Sequence, residues 1–209
     1  MNSIVRDAEH HHAKRVTLNG QVLDVGGVHG AAYQNLIKGS HSFTVINIDE
    51  NTKPDYVVNV EHTFPFADET FDHAICFNVL EHVFDVHAVF SEQVRCVKKG
   101  GTLVYATPFM HHIHGSPDDF ARYTDSFYYK MAEKYGCEIV SIERMGYGFF
   151  SLVYQCLHRG IPTEFLIKIC KKIAITCDLC ASKISGGYKV YLNEKIPLGY
   201  FVVMRKNVL

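Results

Sequence analysis

Short apolar runs alternate along this chain with longer stretches whose apolar residues recur at helical spacing. That is the pattern of a mostly parallel sheet covered on both faces. Gln21 to Val25 (QVLDV) reads as a buried first strand opening into a glycine-rich turn, GGVHG, with a helix expected from Ala31 to Ile37. Further strands are expected over Phe43 to Ile48, Asp55 to Val60 and Phe71 to Asn78. A helix from Val86 to Val97 is expected to stop at Gly100 and Gly101, since glycine commonly ends helices. Thr102 to Thr107 is a fifth strand halted by Pro108, and Ser126 to Tyr135 a helix ended by Gly136. Cys137 to Arg144 and Tyr200 to Arg205 complete the strands. Between these two lies an insert, Met145 to Pro197, carrying the lysine-dotted helical stretch EFLIKICKKIAITCDLCASKI. The whole predicts one α/β domain over residues 1–209, doubly wound, with a helical insert before its last strand. No stretch reaches the length of uncharged apolar sequence that a membrane span needs.

Composition narrows the partners. Hydrophobic residues at 47% against 21% charged exclude a disordered chain, and a net charge of -1 gives no basic field for nucleic acid. The seven cysteines are odd in number and scattered, and the N-terminus MNSIVRDAEHHHAKR lacks an apolar signal stretch. Both observations point to free thiols in the cytoplasm. The Cys177–Cys180 pair has no further ligands nearby in sequence and reads as small packing residues rather than a zinc site. His10, His11 and His12 stand in a polar leader and are given no role.

In an open parallel sheet a ligand binds beyond the carboxyl ends of the strands, where the strand order reverses. VLDVGGVHG after the first strand lets a backbone approach a ligand closely, and Asp49, ending the second, is placed to accept ribose hydroxyls. A tight turn and a helix cap explain each feature singly; together they favour a nucleoside cofactor. A dinucleotide requires G-x-G-x-x-G to seat its pyrophosphate, and Gly26, Gly27 and Gly30 do not keep that register.

VLDVGGVHG resembles the first motif of class I S-adenosylmethionine-dependent methyltransferases. FPFADETFDHAICFNVLEHVFDVHAVFSEQVRCVKKGGTLVYATPF resembles their following motifs in unbroken order. The resemblance runs from Val22 to about Arg144 and returns at LGYFVVMRK. It implies a Rossmann-like sheet of seven strands, the last antiparallel, with S-adenosylmethionine as cofactor. It further implies cofactor contacts from Asp24, Gly26 and Gly30 and ribose contacts from Asp49. Asn78 and Val79 would line the methionine side, and Asn59, Val60 or Glu61 the adenine edge. The family's middle glycine is Val28 here, and a β-branched residue resists positive φ. Gly27 is therefore expected to carry the special dihedral and joins the cofactor residues.

The segment after the fifth strand, PFMHHIHGSPDDFARYTDS, gathers three histidines, three aspartates and an arginine at the functional edge. His114, Pro117, Asp119, Arg122, Tyr123 and Thr124 resemble the H-x-x-P-x-D-x-x-R-Y-T signature of methyltransferases from bacterial cell-surface sugar and polysaccharide gene clusters. A sugar hydroxyl is a weak acid and needs a base as the new bond forms, and histidine serves near neutral pH. His114 is the expected base, with Asp119 and Arg122 orienting it or the substrate; His111 and His112 are its rivals. A plain salt bridge between Asp119 and Arg122 is the simpler reading of that pair. Glu81 and His82 are too few to hold a metal and are expected only to order their loop, so no metal is assigned. Lys168, Lys171 and Lys172 beside Ile167, Ile169 and Ile173 fit a packing helix, with weak membrane-surface contact or a homodimer face as alternatives. The reading is O-methyl transfer to a hydroxyl of a sugar or glycan precursor. Another small-molecule acceptor, or a binding module without catalysis, are its rivals.

Overall fold

The computed structural model describes residues 3–184 and 194–208. Its strands are β1 (Gly20–Val25), β2 (His41–Asn47), β3 (Tyr56–Val57), β4 (Phe71–Phe77), β5 (Val97–Pro108), β6 (Cys137–Met145) and β7 (Gly199–Lys206). They form one sheet in the order β3-β2-β1-β4-β5-β7-β6, with β7 antiparallel to both its neighbours and the other pairings parallel. All seven expected strands are present, and strand order reverses between β1 and β4.

Alternation along the strands divides the core into two layers, because successive side chains point to opposite faces. Leu23, Val25, Ala74, Cys76, Leu103 and Tyr105 pack on one face. There they meet α2 (Val86–Cys96) and α3 (Asp125–Lys134) through Val89, Phe90, Tyr128 and Met131. Val22, Ile75, Phe77, Val104 and Ala106 pack on the other, against α1 (Ile4–Ala13), α4 (Phe149–Leu157) and α5 (Glu164–Ile184). The helices α4 and α5 belong to the expected insert, and α5 coincides with the lysine-dotted stretch. Residues 185–193 of that insert lie outside the described residues. No helix among the described residues is long and apolar enough to cross a membrane.

Four expectations are corrected. No helix forms over Ala31–Ile37: the chain makes successive turns, closed by bonds such as Ala31 N–H to Val28 O and Gln34 N–H to Ala31 O. Tyr33 and Gln34 are turned inward onto Asp24 instead, and Lys38 already pairs back on Val16 and Leu18. Gly100 and Gly101 do not stop α2; β5 starts at Val97 and runs through both, with Gly100 at a φ of +77 where the register against β4 shifts. The third strand is two residues, not six. The polar leader is a helix, capped by Ser3 and buried along Ile4, Val5, Ala8 and Ala13.

Candidate active site

At the carboxyl ends of β1, β2 and β4 opens a cavity of about 730 Å³, within the range of about 300–1,000 Å³ typical of small-molecule sites. Gly26, Asp49, Asn59, Val60, Asn78 and Val79 line it, with Val28, Asn47, Glu61 and His82. Ser116, Pro117, Asp118 and Phe120 close its far side. Six of the nine expected cofactor residues therefore meet at one wall. Asp24, Gly27 and Gly30 do not reach it.

The turn after β1 shows why. Gly26 stands at a φ of +72, and a β-carbon there would sit 2.4 Å from a methyl of Val79. Asn47, at the end of β2, donates to the carbonyls of Gly26 (3.2 Å) and Gly27 (2.8 Å) and pins the turn. Gly27 does not carry a positive φ, contrary to expectation; Gly26 and Gly30 do. Gly27 is required for space instead, because its β-carbon would fall 2.3 Å from the carboxyl group of Asp24. Val28 needs no special dihedral and is half-exposed on the cavity wall.

Asp24 is fully buried, and its Oδ2 accepts from Tyr33 Oη (3.0 Å) and Gln34 Nε2 (2.8 Å). Its Oδ1 has no partner. Burial raises its pKa to about 6, opposed by those two hydrogen bonds. Asp49 is exposed; its Oδ1 accepts from the backbone and side-chain nitrogens of Asn51, capping the 3₁₀ turn Glu50–Thr52. It is thus a cap and a cavity residue together. Asn78 holds a left-handed φ of 55 and donates to Glu9 Oε2 at 2.6 Å. Glu9 is buried and held by Arg6 at 2.9 Å, so α1 buttresses the cavity from behind. Nothing in the leader's sequence marked Glu9; the single signal was a carboxylate on the apolar face of an amphipathic helix. Glu61, the third residue expected near the adenine edge, is on the wall too; its Oε1 accepts from the backbone N–H groups of Phe84 and Asp85, each at 2.7 Å, tying together the loops after β3 and β4.

On the acceptor side the structure brings His114, Asp119 and Arg122 together. Asp119 Oδ2 accepts from the His114 backbone N–H (2.8 Å) and lies 3.4 Å from its Nδ1. Arg122 embraces the same carboxylate through both terminal nitrogens, Nη2 at 2.7 Å, and holds it well below the usual carboxylate range. The expected salt bridge and the expected orienting pair are one arrangement. Burial lowers the His114 pKa, leaving a neutral ring at pH 7, and lowers that of His111 to about 4. His114 is not on the cavity wall; His82, 5.0 Å away between ring centroids, is. Between them lies Glu81, fully buried, which burial raises to about 8 against its own backbone N–H and the Arg122 charge. Glu81 thus does more than order a loop, and Glu81, His82 and His114 form a cluster that sequence spacing did not reveal. Tyr123 of the same segment donates to Leu80 O at 3.0 Å, anchoring it over the loop after β4.

Residues 23–105 match the family model of a methyltransferase domain. No curated protein sequence matches this chain. Among solved structures it is similar to the cyclase SpnF, at 17% identity and a TM-score of 0.62, over 97% of this chain and 81% of that one. It is similar to an S-adenosylmethionine-dependent methyltransferase of Mesorhizobium loti, at 12% identity and 0.57, over 97% and 98%. A Haemonchus contortus phosphoethanolamine N-methyltransferase 2 with S-adenosyl-L-methionine aligns at 15% and 0.59, over 95% of this chain and 52% of that one. These likenesses establish the class I methyltransferase fold. A cyclase among them shows that the fold does not choose the reaction. The family model describes methyltransferases, and the cofactor that the sequence resemblance implies for them is S-adenosylmethionine. The residues present fit that cofactor: a glycine that admits no β-carbon, a strand-end aspartate on the wall and an unpartnered buried carboxylate oxygen behind it.

Proposed function

We propose that the methyltransferase transfers a methyl group to a hydroxyl of a sugar or glycan precursor in the cytoplasm. The observation that carries this reading is the shared cavity: strand-end residues line one side and the 116–120 segment the other. When bound, S-adenosylmethionine supplies an electrophilic methyl group on a sulfonium. Asp49 would accept from its ribose hydroxyls, Asn59 and Val60 would flank its adenine, and Gly26, Asn78 and Val79 its amino-acid part. Holding donor and acceptor in line supplies much of the rate. His114, steadied by Asp119 and Arg122, stands with Glu81 and His82 where an acceptor hydroxyl loses its proton. The match to H-x-x-P-x-D-x-x-R-Y-T supports the sugar class of acceptor.

S-adenosylhomocysteine should raise the melting temperature by mass action, and Asp49→Ala should weaken that binding roughly 10-fold or more. Labelled-methyl incorporation into sugar hydroxyls, against amine acceptors of similar size, tests the acceptor class. Absence of a thermal shift at millimolar ligand would favour a non-catalytic binding module, and incorporation into amines alone would overturn the hydroxyl assignment.

A further inference from the structure

Two imidazoles and a carboxylate converge beside the cavity with no hydrogen-bond donor between them. His82 Nδ1 lies 2.6 Å from the backbone oxygen of Asp118. A carbonyl only accepts, so this nitrogen carries the ring proton. His114 Nδ1 likewise lies 3.2 Å from His112 O, with Asp119 Oδ2 at 3.4 Å. In the Nδ1–H tautomer that these contacts fix, each ring carries its lone pair on Nε2. Both bare nitrogens face Glu81 Oε1, at 3.8 Å and 3.9 Å. Glu81 is fully buried, and neither of its oxygens makes a hydrogen bond of good geometry. Three lone-pair donors thus lie within 4.8 Å of one another. In a buried place such groups repel unless positive charge stands among them. A proton on Glu81 answers one contact at a time, whereas a cation answers all three.

We propose that Glu81, His82 and His114 bind a divalent transition-metal ion at the acceptor end of the cavity. Two imidazole nitrogens and one carboxylate oxygen suit ions of the zinc and cobalt class and suit Mg²⁺ poorly. Ligand bonds of about 2.0–2.2 Å bring such atoms to roughly 3.0–3.6 Å of one another, so the Glu81 contacts close by under about an ångström and the widest pair by about 1–2 Å. The supporting contacts are in place: backbone carbonyls of Asp118 and His112 fix both tautomers, and Arg122 holds Asp119 against His114. Three protein ligands leave coordination positions open, as catalytic sites do. An acceptor hydroxyl taking one of them would be acidified: its proton passes to water, its oxygen bonds the methyl carbon, and the methyl–sulfur bond of the sulfonium breaks with its electron pair left on sulfur. His114 is then a ligand, and acts as the base only in the metal-free protein. Binding of the ion stands on the geometry alone, while this use of it rests on the function proposed above.

The test titrates the full chain, stripped by chelator, with Co²⁺, whose absorption separates nitrogen–oxygen from thiolate ligation. The wild type should bind one ion with a nitrogen–oxygen spectrum, and Glu81→Gln and His114→Gln should each weaken it by at least about 10-fold. Retained circular dichroism and cooperative melting report that the variants fold; if Glu81→Gln does not, His82→Gln and His114→Gln carry the test. Binding equal in wild type and variants, or a thiolate spectrum lost in Cys177→Ser, overturns the site. Co²⁺ binding of the expected kind without any S-adenosylhomocysteine shift leaves the cation site standing and removes the functional reading; the reverse result does the opposite.

Discussion

The turn after β1 and the segment after β5 approach one cavity and are built in opposite ways. The turn works through its backbone: Gly26 brings the main chain against Val79, Asn47 pins two carbonyls, and the one charged side chain, Asp24, is buried beneath and faces Tyr33 and Gln34. The segment works through side chains: Asp119 ties His114 to Arg122, and Tyr123 anchors the strap to Leu80. On the proposed function, a cofactor common to many enzymes would be met by a shape in the main chain, which tolerates little side-chain change, and an acceptor peculiar to one enzyme by groups that substitution can retune. Binding and turnover should therefore separate between the two regions.

The largest effect should come from the segment. His114→Ala removes the ring that Asp119 holds and Glu81 faces, so kcat should fall by about 10²–10⁴-fold. The thermal shift given by S-adenosylhomocysteine should stay near that of the wild type, because no cavity-lining atom of the cofactor half is touched. A matching loss of that shift breaks the comparison, since the halves would then act as one unit. Normal turnover in this variant with loss in His111→Ala or His112→Ala moves the chemistry within the segment.

The sheet was legible in the sequence because its central strands, β1, β4, β5 and β7, are buried on both faces and read as apolar runs. All seven lie where those runs do, and α5 matches its stretch end to end. What was not legible depends on tertiary contact. Tyr33 and Gln34 sit in a run of helical spacing, but Asp24 draws their side chains inward and the helix does not form. Glu9 looked like one charge in a polar leader until α1 buried it beside Asn78. Asp49 was legible from its place at a strand end, and the resemblance named Asn59, Val60, Asn78 and Val79; all five line the cavity. The meeting of Glu81 with His114, distant in sequence, depends on the strap folding back over the loop after β4.

Proton linkage sharpens the comparison at intermediate size. Glu81 is raised from 4.5 to about 8, so the folded chain binds its proton more tightly than the unfolded chain does. Stability is then greatest at low pH and declines as pH rises from about 4.5 to 8, the reverse of an ion-paired carboxylate. Asp24, raised to about 6, adds the same sign over a lower window, from 3.8 to about 6. In chelator-treated protein Glu81→Gln should remove the upper part of the decline. It should gain on the order of 2 kcal/mol over wild type at pH 8 and little at pH 5, read by urea unfolding at both. An equal effect at the two values would show that Glu81 is ionised throughout, and that the cluster is not the high-strain half of the site.

The smallest effects test the backbone claim directly, at neighbouring residues of the turn. Gly27→Ala puts a β-carbon 2.3 Å from the Asp24 carboxyl, which Tyr33 and Gln34 hold in place. The aspartate cannot swing away without leaving a buried, unpaired group, so the variant should lose about 1–2 kcal/mol of stability and bind S-adenosylhomocysteine more weakly. Val28→Gly removes a half-exposed side chain from an ordinary dihedral, and should cost about 1 kcal/mol or less, chiefly through added freedom of the unfolded chain. Gly27→Ala in an Asp24→Asn background separates space from charge. The amide occupies the same volume, so the steric cost should persist while the pH dependence contributed by Asp24 disappears. If Asp24→Asn instead relieves the defect, the carboxylate's charge rather than its bulk is what requires glycine at 27. The turn would then be an electrostatic device like the segment facing it.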